Sequence, residues 1–123
     1  MSRAAISRSA TVEEREWVVW LLQNAATIGD VAAFLDQVSH LRVVGGCGCG
    51  CPSVDFKAGG QDAVASIIAD AEGTSPEGVM VGVILWAKEG RISGLEVYPF
   101  AETGRFGLPR PENLNPAFGS DAV

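Results

Sequence analysis

The chain has 123 residues, a formal net charge of −6 and a pI near 4.6. Its length is close to the commonest size of a single domain, so one hydrophobic core over residues 1–123 is expected. The acidic balance argues against nucleic acid and anionic membranes as partners, because both attract clustered Lys and Arg. The longest apolar run, residues 78–87, is about half as long as a membrane span requires.

The cysteines and the N-terminal residues limit the class of protein further. All three cysteines lie within five residues, which cannot be the spread-out disulfide framework of a small secreted module. A cytoplasmic location is therefore expected. Residues 1–10 contain no apolar segment of signal-peptide length, and we predict that they form a frayed terminus.

Two helices are predicted in the first third of the chain. Thr11 and Glu14 have the spacing of a capping box, and the apolar residues that follow recur at three- and four-residue steps. This pattern predicts a helix over residues 12–25. Asp30 can cap a second helix, in which apolar residues repeat at i, i+3, i+4 and i+7 between residues 31 and 38.

From residue 41 onward, β-branched residues and glycines predict strands. Residues 62–72 fit both a helix and a strand, and the strand is favoured because the next segment is itself extended. Residues 79–87 and 91–100 have the pattern of a hairpin around a turn at 88–90. In the second of these runs, alternation places one apolar set on each face of the strand: Leu95 and Val97 on one, Ile92, Tyr98 and Phe100 on the other.

These elements predict an α+β fold with two N-terminal helices packed on an antiparallel sheet of about four strands. Residues 102–123 are proline-rich and have no periodicity. We predict that they form an extended C-terminal strap or tail along the domain.

The segment GGCGCGCPS, residues 45–53, contains Cys47, Cys49 and Cys51. On a regular strand, neighbouring cysteine side chains would be about 6.7 Å apart, too far for a disulfide or for one zinc ion. The favoured interpretation is a row of small side chains that lets another segment approach closely. Only a chain that curls through positive φ at the glycines could bring the sulfurs together.

Two kinds of chemistry stay open for this segment. A zinc site would use the three cysteines with His40, the only histidine, as a fourth ligand. A redox or nucleophilic cysteine would need a stabilised thiolate, and Arg42 is the nearest cation in the sequence. Asp55 and Glu96 could also act as paired acids, although unrelated carboxylates are the more frequent case.

The stretches CGCGCPSVDF, GVILWAKEGRISGLEVY and LPRPENL resemble a set of small bacterial proteins classed as a domain of unknown function. The resemblance spans residues 41–115 and implies no activity, cofactor or catalytic residue.

The sequence contains no converging set of acid, base and nucleophile. We therefore expect a non-enzymatic binding or accessory protein whose partner is another protein, with a homodimer as an open possibility. A zinc-binding module is the main alternative, and a cysteine redox enzyme is the third.

Overall fold

The computed structural model describes residues 4–25, 27–46, 52–58, 64–100, 106–109 and 114–116. Its elements are, in chain order, β1 (Ala4–Ser9), α1 (Val12–Asn24), α2 (Val31–Leu35), a 3₁₀ helix (Val38–His40), β2 (Arg42–Gly46), β3 (Val54–Phe56), β4 (Ala65–Thr74), β5 (Met80–Lys88), β6 (Arg91–Pro99) and β7 (Leu114–Pro116). The strands form one antiparallel sheet in the order β1-β2-β3-β6-β5-β4-β7. Within the described residues, no helix is long and apolar enough to cross a membrane.

Helix α1 begins with the predicted capping box. The hydroxyl of Thr11 accepts a hydrogen bond from the Glu14 backbone at 3.1 Å, and the Glu14 carboxylate accepts one from the Thr11 backbone at 2.9 Å. Both oxygens of this carboxylate also bind the guanidinium of Arg8, at 2.9 Å each. The cap of α1 is therefore tied to strand β1.

The second helix is confirmed in position but is shorter than its pattern predicts. The side chain of Asp30 accepts a hydrogen bond from the Ala33 backbone at 3.1 Å and caps α2. The helix ends at Leu35, and a 3₁₀ helix follows that ends at His40. His40 therefore closes this helical region in a 3₁₀ turn.

The prediction of about four strands is wrong. In the described part of the chain the sheet contains β1 to β6 and, as a seventh strand, the three-residue β7, which pairs with the outer side of β4. The strands that the prediction missed, β1 and β7, are short and lie at the two edges of the sheet, and their sequences carry no clear hydrophobic alternation. Pro116 is tolerated in β7 because an edge strand can leave one side of its backbone without a partner.

The predictions for both ends of the chain also need correction, because each end contributes an edge strand. Residues 4–9, predicted to be frayed, form β1 and pair with β2, while residues 1–3 lie outside the described part of the chain. Residues 114–116, predicted to belong to a strap, form β7. Residues 106–109 have no regular structure and pack on α1, where the Trp17 indole donates a 2.7 Å hydrogen bond to the Pro109 carbonyl.

The predicted strand and hairpin in the second half of the chain are confirmed. Residues 65–72 belong to β4, whereas residues 62 and 63 are outside the described ranges. Strands β5 and β6 are joined by Glu89 and Gly90, whose φ angles are 49° and 78°. Two positive φ angles define the turn whose twist matches paired strands, and glycine makes the second position favourable.

The hydrophobic core lies between the helices and one face of the sheet. Along β5, Val81, Val83 and Leu85 are completely buried, whereas Met80 is 59% exposed. Helix α1 contributes several side chains to the same core: Trp17, Val18, Leu21 and Leu22. Because successive side chains of a strand point to opposite faces, one face of the sheet carries the core and the other does not.

Candidate functional site

The side of the sheet that faces away from the helices exposes several large apolar side chains, and we call it the uncovered face. Met80, Tyr98 and Phe100 are 59%, 41% and 48% exposed, and Ile67 on β4 is 44% exposed. The rings of Tyr98 and Phe100 are in contact, with centroids 5.9 Å apart. The Phe100 backbone donates a hydrogen bond to the Met80 carbonyl at 3.0 Å. Met80, Tyr98 and Phe100 thus form one contiguous surface, the aromatic patch.

Strand register arranges the uncovered face in rows that cross the central strands. One row joins four residues from neighbouring strands: Asp55, Gly94, Trp86 and Ile67. The next row contains Glu96, Ile84 and Asp70, and the one after it contains Tyr98, Gly82 and Glu72. Carboxylates therefore lie between and beside the aromatic side chains.

Tyr98 is held flat against the sheet by a glycine on the neighbouring strand. Gly82 is its register partner, and a Cβ added at Gly82 would overlap the phenol ring. Only glycine leaves the ring room to lie across the strand. The ring is consequently fixed in orientation while 41% of the residue stays exposed.

The acidic residues of the uncovered face influence one another. Burial raises the pKa of Asp70, and the negative charge of Glu72, two residues along the same strand, raises it further. Glu96 accepts a 3.0 Å hydrogen bond from the Trp86 indole through Oε1. This part of the face therefore combines negative charge with exposed apolar surface.

Farther along the same face lies a groove with a volume of about 620 Å³, which we call the central groove. Gly94 forms part of its floor, and a Cβ there would lie 3.7 Å from Asp55 Oδ1 and 3.9 Å from the Trp86 Cβ. The lining includes four charged side chains, an indole and a glycine: Asp55, Lys57, Lys88, Glu96, Trp86 and Gly94. The structure thus brings the two candidate acids, Asp55 and Glu96, to one groove.

His40 lies in a different cavity, of about 480 Å³, beside the turn between β5 and β6. Gln37 joins the helical region to this turn, because its side chain donates to the Gly90 carbonyl at 2.8 Å and accepts from the Ile92 backbone at 2.9 Å. Lys57 and Arg91 line the cavity together with His40. The carboxylates of Asp36 and Glu89 line it as well, so charges of both signs surround His40.

The cysteine segment leaves β2 at the end opposite His40. Arg42 and Gly46 are the two ends of this strand, about 13 Å apart at the rise of an extended chain, and His40 precedes Arg42. His40 therefore lies at the Arg42 end of β2, and the zinc site that would combine it with the cysteines stays a prediction. Cys47, Cys49 and Cys51 themselves lie outside the described residues. In the described part of the chain, no three His, Cys, Asp or Glu side chains form a group able to hold a metal ion.

The sequence did not identify the central features of this face. From the sequence, Trp86 is expected to be a core or rim residue. Alternation alone predicts that Ile92 lies on the same face as Tyr98. Ile92 is in fact 1% exposed, because the register between β5 and β6 shifts between Trp86 and Ala87 and changes the face of the residues beyond it. The feature of the sequence that could have indicated this face is a pair of glycines, Gly82 and Gly94, each of which faces an aromatic residue across the hairpin.

No protein-family model, curated protein or solved structure matches this chain. The resemblance to small bacterial proteins of unknown function stays a prediction, and an assignment of function depends on the geometry of the uncovered face.

Proposed function

We propose that this chain is a non-enzymatic binding protein that docks a protein partner on its uncovered face. The docking segment of that partner combines apolar side chains with Lys or Arg. The observation that carries the proposal is the aromatic patch of Met80, Tyr98 and Phe100, which lies beside the carboxylate of Glu72.

The apolar part of this surface supports a macromolecular partner. Contiguous exposed apolar surface on a folded protein commonly marks an interaction site, and tyrosine is frequent among residues that dominate binding energy. The ring of Tyr98 lies against Gly82 in the free protein. Binding would therefore cost little of this ring's conformational entropy, since the ring is already held in place.

The charges support a cationic partner. Asp70 and Glu72 lie on one strand, and the charge of Glu72 contributes to the raised pKa of Asp70. A Lys or Arg of the partner placed beside them would relieve this repulsion. The net charge of −6 would also accelerate association with a basic segment at low ionic strength.

The proposal is tested by titrating the protein with two labelled peptides and following fluorescence anisotropy. Both contain Leu and Phe at the same positions, and the Lys residues of the first are replaced by Glu in the second. The Lys peptide should bind at least about tenfold more tightly, and added salt should reduce this difference.

Matched variants locate the binding. The double substitution Tyr98→Ser, Phe100→Ser should reduce affinity for the Lys peptide at least about tenfold, because it removes both aromatic contacts. Val12→Ser alters a residue of α1 that is 70% exposed and should leave affinity unchanged. Equal affinity for the two peptides, or full affinity in the double variant, would overturn the proposal.

A further inference from the structure

We propose that the central groove binds a short peptide of two or three residues with free termini, at a site separate from the aromatic patch. The ammonium group of this zwitterionic ligand lies toward Glu96, and its carboxylate lies toward Lys57 and Lys88. The inference goes beyond docking of a protein partner, because it assigns a second class of ligand to another part of the uncovered face.

Volume and shape are the first support. The groove has a volume of about 620 Å³, within the range of roughly 300–1,000 Å³ typical of sites for small molecules. Gly94 contributes no side chain to the floor between Asp55 and Trp86. A ligand backbone could therefore lie close to the sheet at this point, with a ligand side chain against the half-buried indole of Trp86.

The order of charges along the groove is the second support. Glu96 lies two residues beyond Gly94 on β6, and Lys88 lies two residues beyond Trp86 on β5 in the opposite sense, because the strands are antiparallel. Each step of two residues covers about 6.7 Å along the sheet. The acidic end and the basic end of the groove are thus about 13 Å apart at the backbone, and side chains from both ends reach inward.

This separation selects the length of the ligand. An extended peptide spans at most about 3.3–3.6 Å per residue, so two or three residues place their terminal charges roughly 7–11 Å apart. A single amino acid would be too short to contact Glu96 and Lys88 together.

The charged groups are available for such contacts. Neither Lys57 nor Lys88 forms an ion pair with any residue that the structure describes. Glu96 uses Oε1 to accept from the Trp86 indole, which fixes the orientation of both side chains. Asp55 already takes part in an interaction within the protein, so Glu96 is the principal acceptor for the ligand ammonium.

The test uses the tripeptide Ala-Leu-Ala in three forms: with free termini, N-acetylated, and C-amidated. Binding is followed through the indole N–H resonance of Trp86, which is assigned with the Trp86→Phe variant. The free tripeptide should shift this resonance in a saturable manner. Blocking either terminus should weaken binding at least about tenfold, since each block removes one of the two charge contacts.

Variants separate the two ends of the groove. Lys88→Glu should abolish the preference for a free carboxylate, because it places a negative charge at the basic end of the groove. The variant protein should bind the amidated peptide better than the free one. Arg15→Glu makes the same charge change on α1, on the other side of the sheet, and serves as the control.

The outcomes are distinct from those of the docking proposal. The Tyr98→Ser, Phe100→Ser variant should still bind the free tripeptide, whether or not the aromatic patch binds a protein. No saturable shift of Trp86 with millimolar tripeptide, or equal affinity for all three peptide forms, would overturn the inference.

Discussion

Tyr98 on β6 lies directly across Gly82 on β5, and no larger residue at position 82 would leave space for the phenol ring. This pair determines the shape of the uncovered face. It keeps an aromatic ring flat against the sheet, beside Phe100 and close to the carboxylate of Glu72.

Gly82→Ala should displace the Tyr98 ring and lower the free energy of unfolding by about 1–3 kcal/mol, as overpacking typically does. Gly→Ala at an unstrained position usually stabilises instead, by reducing the entropy of the unfolded chain. Urea unfolding of Gly82→Ala, Tyr98→Ser and the double variant measures the coupling between the two sites. The loss caused by Gly82→Ala should be much smaller when Tyr98 is already Ser. Strictly additive effects would show that the ring does not depend on Gly82.

The Glu14 carboxylate should make stability depend on pH. Burial alone would raise its pKa, but hydrogen bonds from Arg8 and Thr11 and the charge of Arg8 outweigh burial and lower the pKa overall. A carboxyl group with a lowered pKa in the folded state stabilises the fold above its unfolded pKa of about 4.3. That contribution is lost as the pH falls through the lower, folded-state pKa.

Glu14→Gln isolates this contribution, because glutamine retains the capping box but cannot form the ion pair with Arg8. At pH 7 the variant should be less stable by about 1.5–3 kcal/mol, the range for hydrogen bonds to a charged group. The difference between wild type and variant should shrink as the pH is lowered from about 5. Urea unfolding of both proteins over this range measures it. A difference that is independent of pH would contradict the assignment.

Trp17→Phe should destabilise the protein by about 2–4 kcal/mol, because it leaves a cavity and removes the hydrogen bond to the buried Pro109 carbonyl. Trp20→Phe is the matched control, since Trp20 is only partly buried and its indole donates no hydrogen bond to a described residue. Amide exchange at Phe106, Gly107 and Leu108 should accelerate in the Trp17 variant but not in the Trp20 variant. Similar exchange in both variants would show that residues 106–109 are held by other contacts.

The zinc interpretation of Cys47, Cys49 and Cys51 makes a prediction that metal analysis can decide. Protein purified under reducing conditions should contain one zinc ion per chain if the three thiolates form a structural site, and their replacement by Ser should remove it. His40→Ala should also lower the zinc content if His40 is the fourth ligand. Fewer than about 0.1 zinc ions per chain in the wild-type protein would exclude the site.

The sequence predicted those elements whose signals are local. The capping box at Thr11 and the two-residue turn at Glu89 and Gly90 depend on residues close together in the chain, and both are present in the structure. Strands β1 and β7 could not be predicted in the same way. Each is an edge strand, so its position depends on a partner far away in the sequence.

Prediction of the candidate site would have required even more knowledge of long-range packing. Alternation shows that β5 and β6 have two faces, but it does not show which face the helices cover. The register shift beside Trp86 then reverses the expected face of Ile92. Asp55 and Glu96 could be nominated as acids from the sequence, whereas their shared groove follows from β3 pairing with β6 across 40 residues of chain.

Backbone amide chemical shifts recorded during titration with the Lys-containing peptide show directly whether the uncovered face binds the partner. The largest changes should fall on Met80, Gly82, Tyr98 and Phe100, with smaller changes at Asp70 and Glu72 on the neighbouring strand. Residues of α1 and of the second cavity around His40 should remain unaffected. Changes concentrated on α1 or on the second cavity, or saturable binding that leaves β5 and β6 unchanged, would contradict the assignment of the uncovered face as the binding surface.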